Sequence, residues 1–337
     1  MSKNTWEGKH GPLLIAEIGG NHEGDFEYAK RLTELAIGAD VDFIKFQLYS
    51  GDSLVSRVEN PVRNQHFKKF ELNQDHYIDL AEMCQAAGIG FMASVWNPDY
   101  FEWIDPYMPI YKIGSGDMTA YPILAATAQL KKPIILSTGL SSLQEVLETV
   151  AFIQRVDPLY KDPQYLSILQ CTAMYPIPFE AANLSVMQTY KSITGLPVGY
   201  SDHTEGHQAL AIAVAMGAQI LEFHFTDSRE GKSFRDHEVS LTQAEVLQLT
   251  EEIKVIKGLK GDPIKRPLAV EGDHVVTFRR AVYPRQNIPA GTVIDEQHLI
   301  YLRPNHGIDA RAYKQLIGKK TKLDLSAHQR LEWSYFE

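Results

Sequence analysis

Short apolar runs that end in polar residues recur from Leu13 to His224, and amphipathic stretches separate them. Leu13-Leu14-Ile15-Ala16 ends in Glu17, and Phe43-Ile44 leads into Lys45-Phe46-Gln47. Phe91-Met92-Ala93 ends in Ser94, and Pro109–Ile113 carries Lys112 and leads into Gly114-Ser115-Gly116-Asp117. Pro133-Ile134-Ile135-Leu136 ends in Ser137-Thr138-Gly139, and Leu166–Cys171 ends before Thr172. Leu196-Pro197-Val198 opens into Gly199-Tyr200-Ser201-Asp202-His203-Thr204, and Gln219-Ile220-Leu221 ends in Glu222-Phe223-His224. Each run has the length of a buried strand. Helical spacing fills Phe26–Ile37, Gln74–Ala87 and Tyr121–Leu130, with Gly88 placed as a C-terminal cap. Ser142 and Glu145 stand at capping-box spacing before a helix that runs to about Arg155. An Ala-rich helix spans Gln208–Met216, and a last one runs from about Thr242 to Leu259.

Strand and helix therefore alternate eight times, which predicts an α/β fold, a (β/α)8 TIM barrel. A doubly wound open sheet is the competitor. Polar clusters at nearly every strand end favour the barrel, because an open sheet concentrates its site at one switch point. The texture changes after Gly261-Asp262-Pro263. Arg279–Tyr283 and Ile288–Val293 read as short strands, with turns at Pro304-Asn305-His306-Gly307 and Leu316–Lys320. The expected organisation is a barrel over residues 1–268, a linker over 269–278 and a small domain over 279–337. A domain of that size is expected to have little core of its own and to need something to dock on.

Composition narrows the function. The chain has 337 residues, 44% hydrophobic and 22% charged, as in ordinary globular proteins. A net charge of −9 disfavours nucleic acid as a partner but permits a small anion in a local basic pocket. No apolar run has the length of a membrane span, and Met1-Ser2-Lys3-Asn4-Thr5 opens no signal-peptide core, so a cytoplasmic location is expected. Cys84 and Cys171, in no paired motif, argue against a disulfide framework.

Candidate chemistry gathers at the strand ends. His203 and His224 end consecutive strands, and two neutral imidazoles with open positions suit a Lewis-acid metal such as Mn, Zn, Co or Fe. Each histidine alone reads equally as a hydrogen-bonded loop residue. Lys45 and Lys112 sit inside apolar strands, where an ammonium needs an anion facing it. Ser115, Ser137, Thr138 and Ser201, with their glycine-rich turns, offer the small donors that suit phosphate. The alternative is that either lysine pairs with Glu17 or Asp117. Glu17 could act as a base, hold sugar hydroxyls or serve as a cap, and His22 is equally open. Asp236-His237 could bind a polyol or cap the following helix.

These segments resemble the sialic acid synthase family, which condenses phosphoenolpyruvate with an N-acylated hexosamine. The resemblance rests on Ala16–Gly19 with Asn21–Gly24, Lys45–Gln47, Tyr111–Gly116, Pro133–Gly139, Tyr175-Pro176, Gly199–Thr204, Glu222–Thr226 and Asp236-His237, in order. The tail resembles the family's antifreeze-like (SAF) domain. The resemblance implies a transferase that makes N-acetylneuraminate, a nine-carbon 2-keto acid, and phosphate from phosphoenolpyruvate, N-acetylmannosamine and water. A 6-deoxy diacetamido hexose, giving legionaminic or pseudaminic acid, is the alternative acceptor. A metal-dependent pyruvate aldolase or a sugar-binding module on a degenerate barrel stands further off. By resemblance, His203 and His224 hold a divalent metal, Mn first and Mg or Co next. Lys112, Ser137 and Ser201, with Ser115 nearby, take the phosphate, and Lys45 and Ser94 take the carboxylate. Glu17, Gln47, Tyr175 and Asp236 face the sugar, and Asp117 joins the substrate-binding set. Glu17, Lys45, Lys112, His203 and His224 form the implied catalytic group. Arg303 matches the arginine that the tail extends into a partner's site, which implies a homodimer with swapped C-terminal domains. Three positions depart from the family pattern: Ala173 for an asparagine that contacts phosphate, Phe234-Arg235 for a Gly-Pro pair, and Arg279 for an aromatic in the tail.

Overall fold

The computed structural model describes residues 4–337; Met1-Ser2-Lys3, part of the start read above for a leader, lie outside the described residues. The eight predicted runs all form strands. The barrel comprises β2 (Gly11–Glu17), β3 (Phe43–Leu48), β4 (Gly90–Val95), β5 (Tyr111–Ile113), β6 (Ile134–Ser137), β7 (Leu166–Cys171), β8 (Val198–Asp202) and β9 (Ile220–His224). A two-residue strand, β1 (Glu7–Gly8), runs antiparallel to the start of β2. The barrel strands run parallel in sequence order, and β9 returns to pair with β2. Only β4 and β5 lie side by side without a hydrogen-bonded ladder. That return removes the open-sheet alternative, and the fold is a (β/α)8 TIM barrel.

Alternation along each strand builds the interior in layers. Leu13, Ile15, Phe43, Met92, Ile110, Ile135, Leu169 and Ile220 pack as one buried cluster capped by Trp6. This is the floor of the barrel. Two residues further along, the inward positions turn polar: Glu17, Lys45, Ser94, Lys112, Ser137 and Glu222, all buried. The outward residues of the same strands, such as Leu14, Ala16, Ile44 and Phe46, pack against the surrounding helices. Each fully buried Leu, Ile or Phe there contributes about 1.5–3 kcal/mol.

The helices follow their caps. In α1 (Phe26–Ile37) the Asp25 side chain accepts from the Tyr28 N–H at 3.0 Å. The predicted box closes at the start of the helix Leu143–Val156, with Ser142 and Glu145 bonding reciprocally. The same pairing of Thr242 and Glu245 starts the helix Gln243–Lys260, so Asp236-His237 does not cap it. Four helices of the barrel unit were not anticipated from the pattern, among them the single turn Gly51–Leu54. Pro61–Lys69 follows an Asn60 cap with proline at its first position, Phe101–Ile104 lies among the aromatics after β4, and Val186–Thr194 stops at Gly195 with φ +68°. Among the described residues, no helix is long and apolar enough to cross a membrane.

The chain divides into two compact units at Gly261/Asp262. The span expected to be a plain linker contains a 3-10 turn, Ala269–Glu271, and a short helix, His274–Thr277. In the second unit, Ala281–Pro284 pairs antiparallel with Leu299–Leu302. Ile288–Val293 makes only single bridges, Ile288 to Leu325 and Val293 to Lys320. Pro289 has no N–H to donate and Gly291 turns at φ +82°, which breaks a ladder there. Contrary to the expected lack of a core, Val282, Ile288, Ile294, Leu299, Ile308, Leu316, Leu325, Leu331 and Phe336 form a buried cluster within this unit.

Candidate active site

The first charged layer above the floor holds two lysines and two glutamates. Lys45 Nζ lies 2.6 Å from Glu17 Oε2, joining neighbouring strands β3 and β2. Lys112 Nζ lies 3.0 Å from Glu222 Oε1 and reaches across the ring from β5 to β9. All four side chains are at least 91% buried. The lysines are thus neutralised within the barrel. Glu17 is the partner of Lys45 as one reading allowed, but Lys112 takes Glu222 and not Asp117. Glu222, quoted only as part of a strand end in the sequence, is the site residue that the reading missed. Its signal was parity: Ile220, Glu222 and His224 point to the same side.

Hydroxyls and amides complete the layer. Ser201 Oγ donates to Glu222 Oε1 at 3.0 Å, Gln47 Nε2 donates to Glu17 Oε1 at 2.7 Å, and Lys45 Nζ donates to Ser94 Oγ at 3.5 Å. Ser137 Oγ is buried with no partner in the protein. Gly139 donates its N–H to Ser115 Oγ at 3.0 Å, and a methyl on Gly139 would lie 2.8 Å from that oxygen and 3.0 Å from Ala173 Cβ. The Ala173 methyl group therefore borders this turn. Asp117 follows in the 3-10 turn Ser115–Asp117, and burial lifts its carboxyl to about 6 against the pull of Lys112.

Electrostatics within the layer are set by burial and by the crossing pairs. Burial lifts the Glu17 carboxyl above the usual range, against Lys45 and with help from Glu222. Burial acts in the same sense on Glu222, but Lys112 and Lys45 outweigh it and bring that carboxyl to about 2. Burial, aided by Lys45, holds the Lys112 ammonium below its ordinary value despite Glu222. The layer is a charge-balanced group in which Glu17 takes a proton more readily than Glu222.

One layer higher, His203 and His224 face each other with ring centroids 5.4 Å apart. His203 Nδ1 lies 2.7 Å from the Thr172 carbonyl oxygen, which only accepts, so Nδ1 carries a proton; burial lowers the imidazole pKa, but Cys171, that carbonyl and Asp202 outweigh it and raise it. Asp202 accepts from the Thr204 N–H at 2.8 Å and from its hydroxyl at 3.0 Å, fixing the turn that carries His203. Burial, then His203 and Lys45, hold His224 well below the usual imidazole value, so its ring is neutral. Its Nδ1 is buried without a hydrogen-bond partner, 4.0 Å from Asp236 Oδ2. His224 is a neutral imidazole with an orphaned nitrogen, and His203 becomes a second once Nε2 gives up its proton, so the pair fits a divalent metal. Among the described residues no group of three or more His, Cys, Asp or Glu stands ready to hold one, so further positions would fall to solvent or substrate.

The mouth is built by the loops after β7, β8 and β9. Tyr175 packs 4.0 Å from the His203 ring and 5.4 Å from that of His224. The Arg235 guanidinium lies 4.6 Å over the Tyr175 ring, and its Nε donates to Asp236 Oδ1 at 3.1 Å. Phe234 packs on Gly20, Phe70 and His66, forming an aromatic wall. A cavity of about 570 Å³ lies on the far side of the loop after β9, lined in part by Glu205, Arg229, Lys232, Phe234, Arg235 and Glu245 and by neither His203 nor His224. His22 is buried and accepts from the Gly24 N–H at 3.1 Å, and burial lowers its pKa to about 4, so its role is structural. His237 is buried too, held by Thr226 at 2.7 Å. Arg303 belongs to the second unit, its guanidinium 5.4 Å over Phe278. The other thirteen residues expected in the site share the C-terminal ends of the barrel strands and the loops that follow them.

A family model described as the NeuB family matches residues 32–265, and one described as the SAF domain matches residues 279–337. The N,N'-diacetyllegionaminic acid synthase of Legionella pneumophila is 34% identical over 341 residues, covering 96% of this chain and 94% of the relative. The N-acetylneuraminate-9-phosphate synthase of Mus musculus is 32% identical over 300 residues, covering 85% of this chain and 82% of the relative. A crystal structure of N-acetylneuraminic acid synthetase from Leptospira borgpetersenii, in complex with citrate, matches with a TM-score of 0.72 and 31% identity, over 78% of this chain and 90% of that one. With its barrel and tail matched in order, the chain belongs to the NeuB family and carries a C-terminal SAF domain.

Proposed function

We propose that the protein joins phosphoenolpyruvate to N-acetylmannosamine and water, releasing phosphate and N-acetylneuraminate, as a transferase of the nonulosonate synthase type. The observation that carries this reading is the pair of buried lysines, ringed by serines from four strands and lying one layer below two facing histidines. Lys112, Ser137 and Ser201, with Ser115 beside them, are assigned to the phosphate, and Lys45 and Ser94 to the carboxylate. Glu17, Gln47, Tyr175 and Asp236 are assigned to the sugar.

A divalent metal on His203 and His224, Mn first and Mg or Co next, would supply Lewis acidity toward the open-chain aldehyde oxygen. The enol π electrons form the new bond from carbon 3 to the aldehyde carbon, whose oxygen takes up the first proton of the entering water by way of Glu17, while the second leaves with the phosphate. Carbon 2 becomes electron-poor and water adds to it. Glu17, whose carboxyl is raised by burial, accepts the proton that the water gives up. The tetrahedral centre then expels phosphate by C–O cleavage, while the lysine and serine donors hold the phosphate charge in a site of little water.

A 6-deoxy diacetamido hexose is the second reading for the acceptor. The Phe234, Phe70 and His66 wall favours it, since a methyl group and a second acyl group suit an aromatic surface. A homodimer in which the SAF domain offers Arg303 to a partner subunit's site, and a cytoplasmic location, belong to the same proposal. Phosphate release from phosphoenolpyruvate with Mn, assayed side by side with N-acetylmannosamine and the legionaminic and pseudaminic precursor sugars, tests it. Turnover with one of them is expected, and no release with any of the three sinks the proposal.

A further inference from the structure

Trp96 stands two residues beyond Ser94 on the chain leaving β4, so the two share the inward side of the strand. Its backbone N–H is held by the Leu48 carbonyl at 3.0 Å, and its indole stacks on Tyr49 with centroids 5.1 Å apart. Tyr49 in turn meets Phe67 edge-on at 5.2 Å. The indole is therefore fixed, yet its Nε1 is buried and has no hydrogen-bond partner in the protein. An indole N–H only donates, and a buried donor left unmatched is costly.

Gly114 shows where that donor points. It lies two residues beyond Lys112, again on the inward side. A methyl group placed on Gly114 would sit 3.9 Å from Trp96 Nε1 and 3.9 Å from Ser94 Oγ, with no other heavy atom within 4 Å outside its chain neighbours. The missing side chain leaves a slot between two side-chain donors, and Lys45 Nζ approaches Ser94 from below at 3.5 Å. A planar anion with two acceptor atoms matches this arrangement better than a tetrahedral one, whose oxygens spread into three dimensions.

We infer that Trp96 Nε1–H and Ser94 Oγ–H together grip the carboxylate of the three-carbon substrate, with Trp96 a binding residue for that group. The inference rests on the proposed use of phosphoenolpyruvate. It makes the carboxylate end of the site depend on an indole from β4, while the phosphate end depends on Lys112, Ser137 and Ser201.

Trp96→Phe keeps the ring on Tyr49 and removes only the donor. The full-length wild type and variant are titrated calorimetrically with phosphoenolpyruvate, with pyruvate as a carboxylate lacking phosphate, and with inorganic phosphate. The expected result is a roughly tenfold or greater rise in Kd for phosphoenolpyruvate and pyruvate, the loss of one hydrogen bond to a charged group. Kd for phosphate stays unchanged, which also shows that the variant is folded. Unchanged binding of pyruvate and phosphoenolpyruvate, or weakening of phosphate to the same degree, overturns the assignment while leaving the wider function standing. A wild type that binds no phosphoenolpyruvate overturns both.

Discussion

Glu222→Gln tests whether the barrel carries a charge-balanced layer. The amide keeps the shape and the contact with Ser201 but removes the charge opposite Lys112, 3.0 Å away and nearly fully buried. Removing one partner of a buried pair costs about 3–5 kcal/mol, because the other charge is left without compensation. For the barrel unit, at about 2.1 cal/mol/K of unfolding entropy per residue, that corresponds to a fall in Tm of roughly 5–9 °C. An anion entering the layer then restores the balance. At about 6 Å and an effective dielectric near 20, the extra attraction for one unit of charge is about 3 kcal/mol. The variant is therefore expected to melt lower than the wild type without ligand, and to gain more than the wild type from saturating phosphate. Its deficit is greatest above about pH 4.5 and narrows as pH falls towards 2, where the wild-type carboxylate is itself protonated. It shrinks again as pH rises through the depressed Lys112 value, because the unpaired ammonium then gives up its proton. Lys112→Met combined with Glu222→Gln removes both charges and is expected to recover part of the loss. Differential scanning calorimetry with and without phosphate measures all of this. A single variant that melts with the wild type and shows the same phosphate shift refutes the reasoning.

His22 and Gly139 give two further checks. The folded pKa of His22, about 4 against an ordinary 6.5, means that the unfolded chain takes up the proton first as pH falls. Stability should drop by about 2 kcal/mol between pH 7 and pH 5 from this group, with the full loss reached below pH 4. His22→Asn should flatten that slope in guanidinium titrations, and an unchanged slope would count against it. Gly139→Ala places a methyl 2.8 Å from Ser115 Oγ and should cost about 1–3 kcal/mol by overpacking. Under the proposed function it should raise KM for phosphoenolpyruvate well above any effect on the sugar, and equal effects on both would show that Ser115 is not on the phosphate side.

The barrel was legible because its strands repeat one local rule, an apolar run closed by a polar residue. Site residues were legible where the residue type was out of place for its strand, as with Lys45 and Lys112. Glu222 was hidden by its neighbour, since a carboxylate next to His224 at a strand end looks like part of a polar turn. Parity with Ile220 and His224 placed it on the inward side, but the pairing with Lys112, 110 residues away, left no trace in the sequence. The helix Val186–Thr194 was masked by its Gln, Thr, Lys and Ser face, although Gly195 marked its end. The tail was read least well, because its contacts are non-local. Ile288 meets Leu325 and Ala281 meets Leu302, and neither spacing leaves a periodic trace.

The two ion pairs differ in what they do for the site. Lys45–Glu17 runs along the wall between adjacent strands, whereas Lys112–Glu222 joins strands on opposite sides of the eight-strand ring. The second pair therefore passes through the middle of the barrel and closes the apolar floor beneath it. Strand geometry lifts the next inward residues by about 6–7 Å, and that step carries Glu222 to His224 and Ser94 to Trp96. The lower layer then holds positive charge balanced by carboxylates, while the upper layer offers the neutral His224 imidazole and the unmatched Trp96 donor. Under the proposed function the lower layer and Trp96 serve the anionic three-carbon substrate, and the histidines serve the sugar. The layering follows from the parity of eight strands, so a two-residue shift in any of them would move its site residue from one layer to the other.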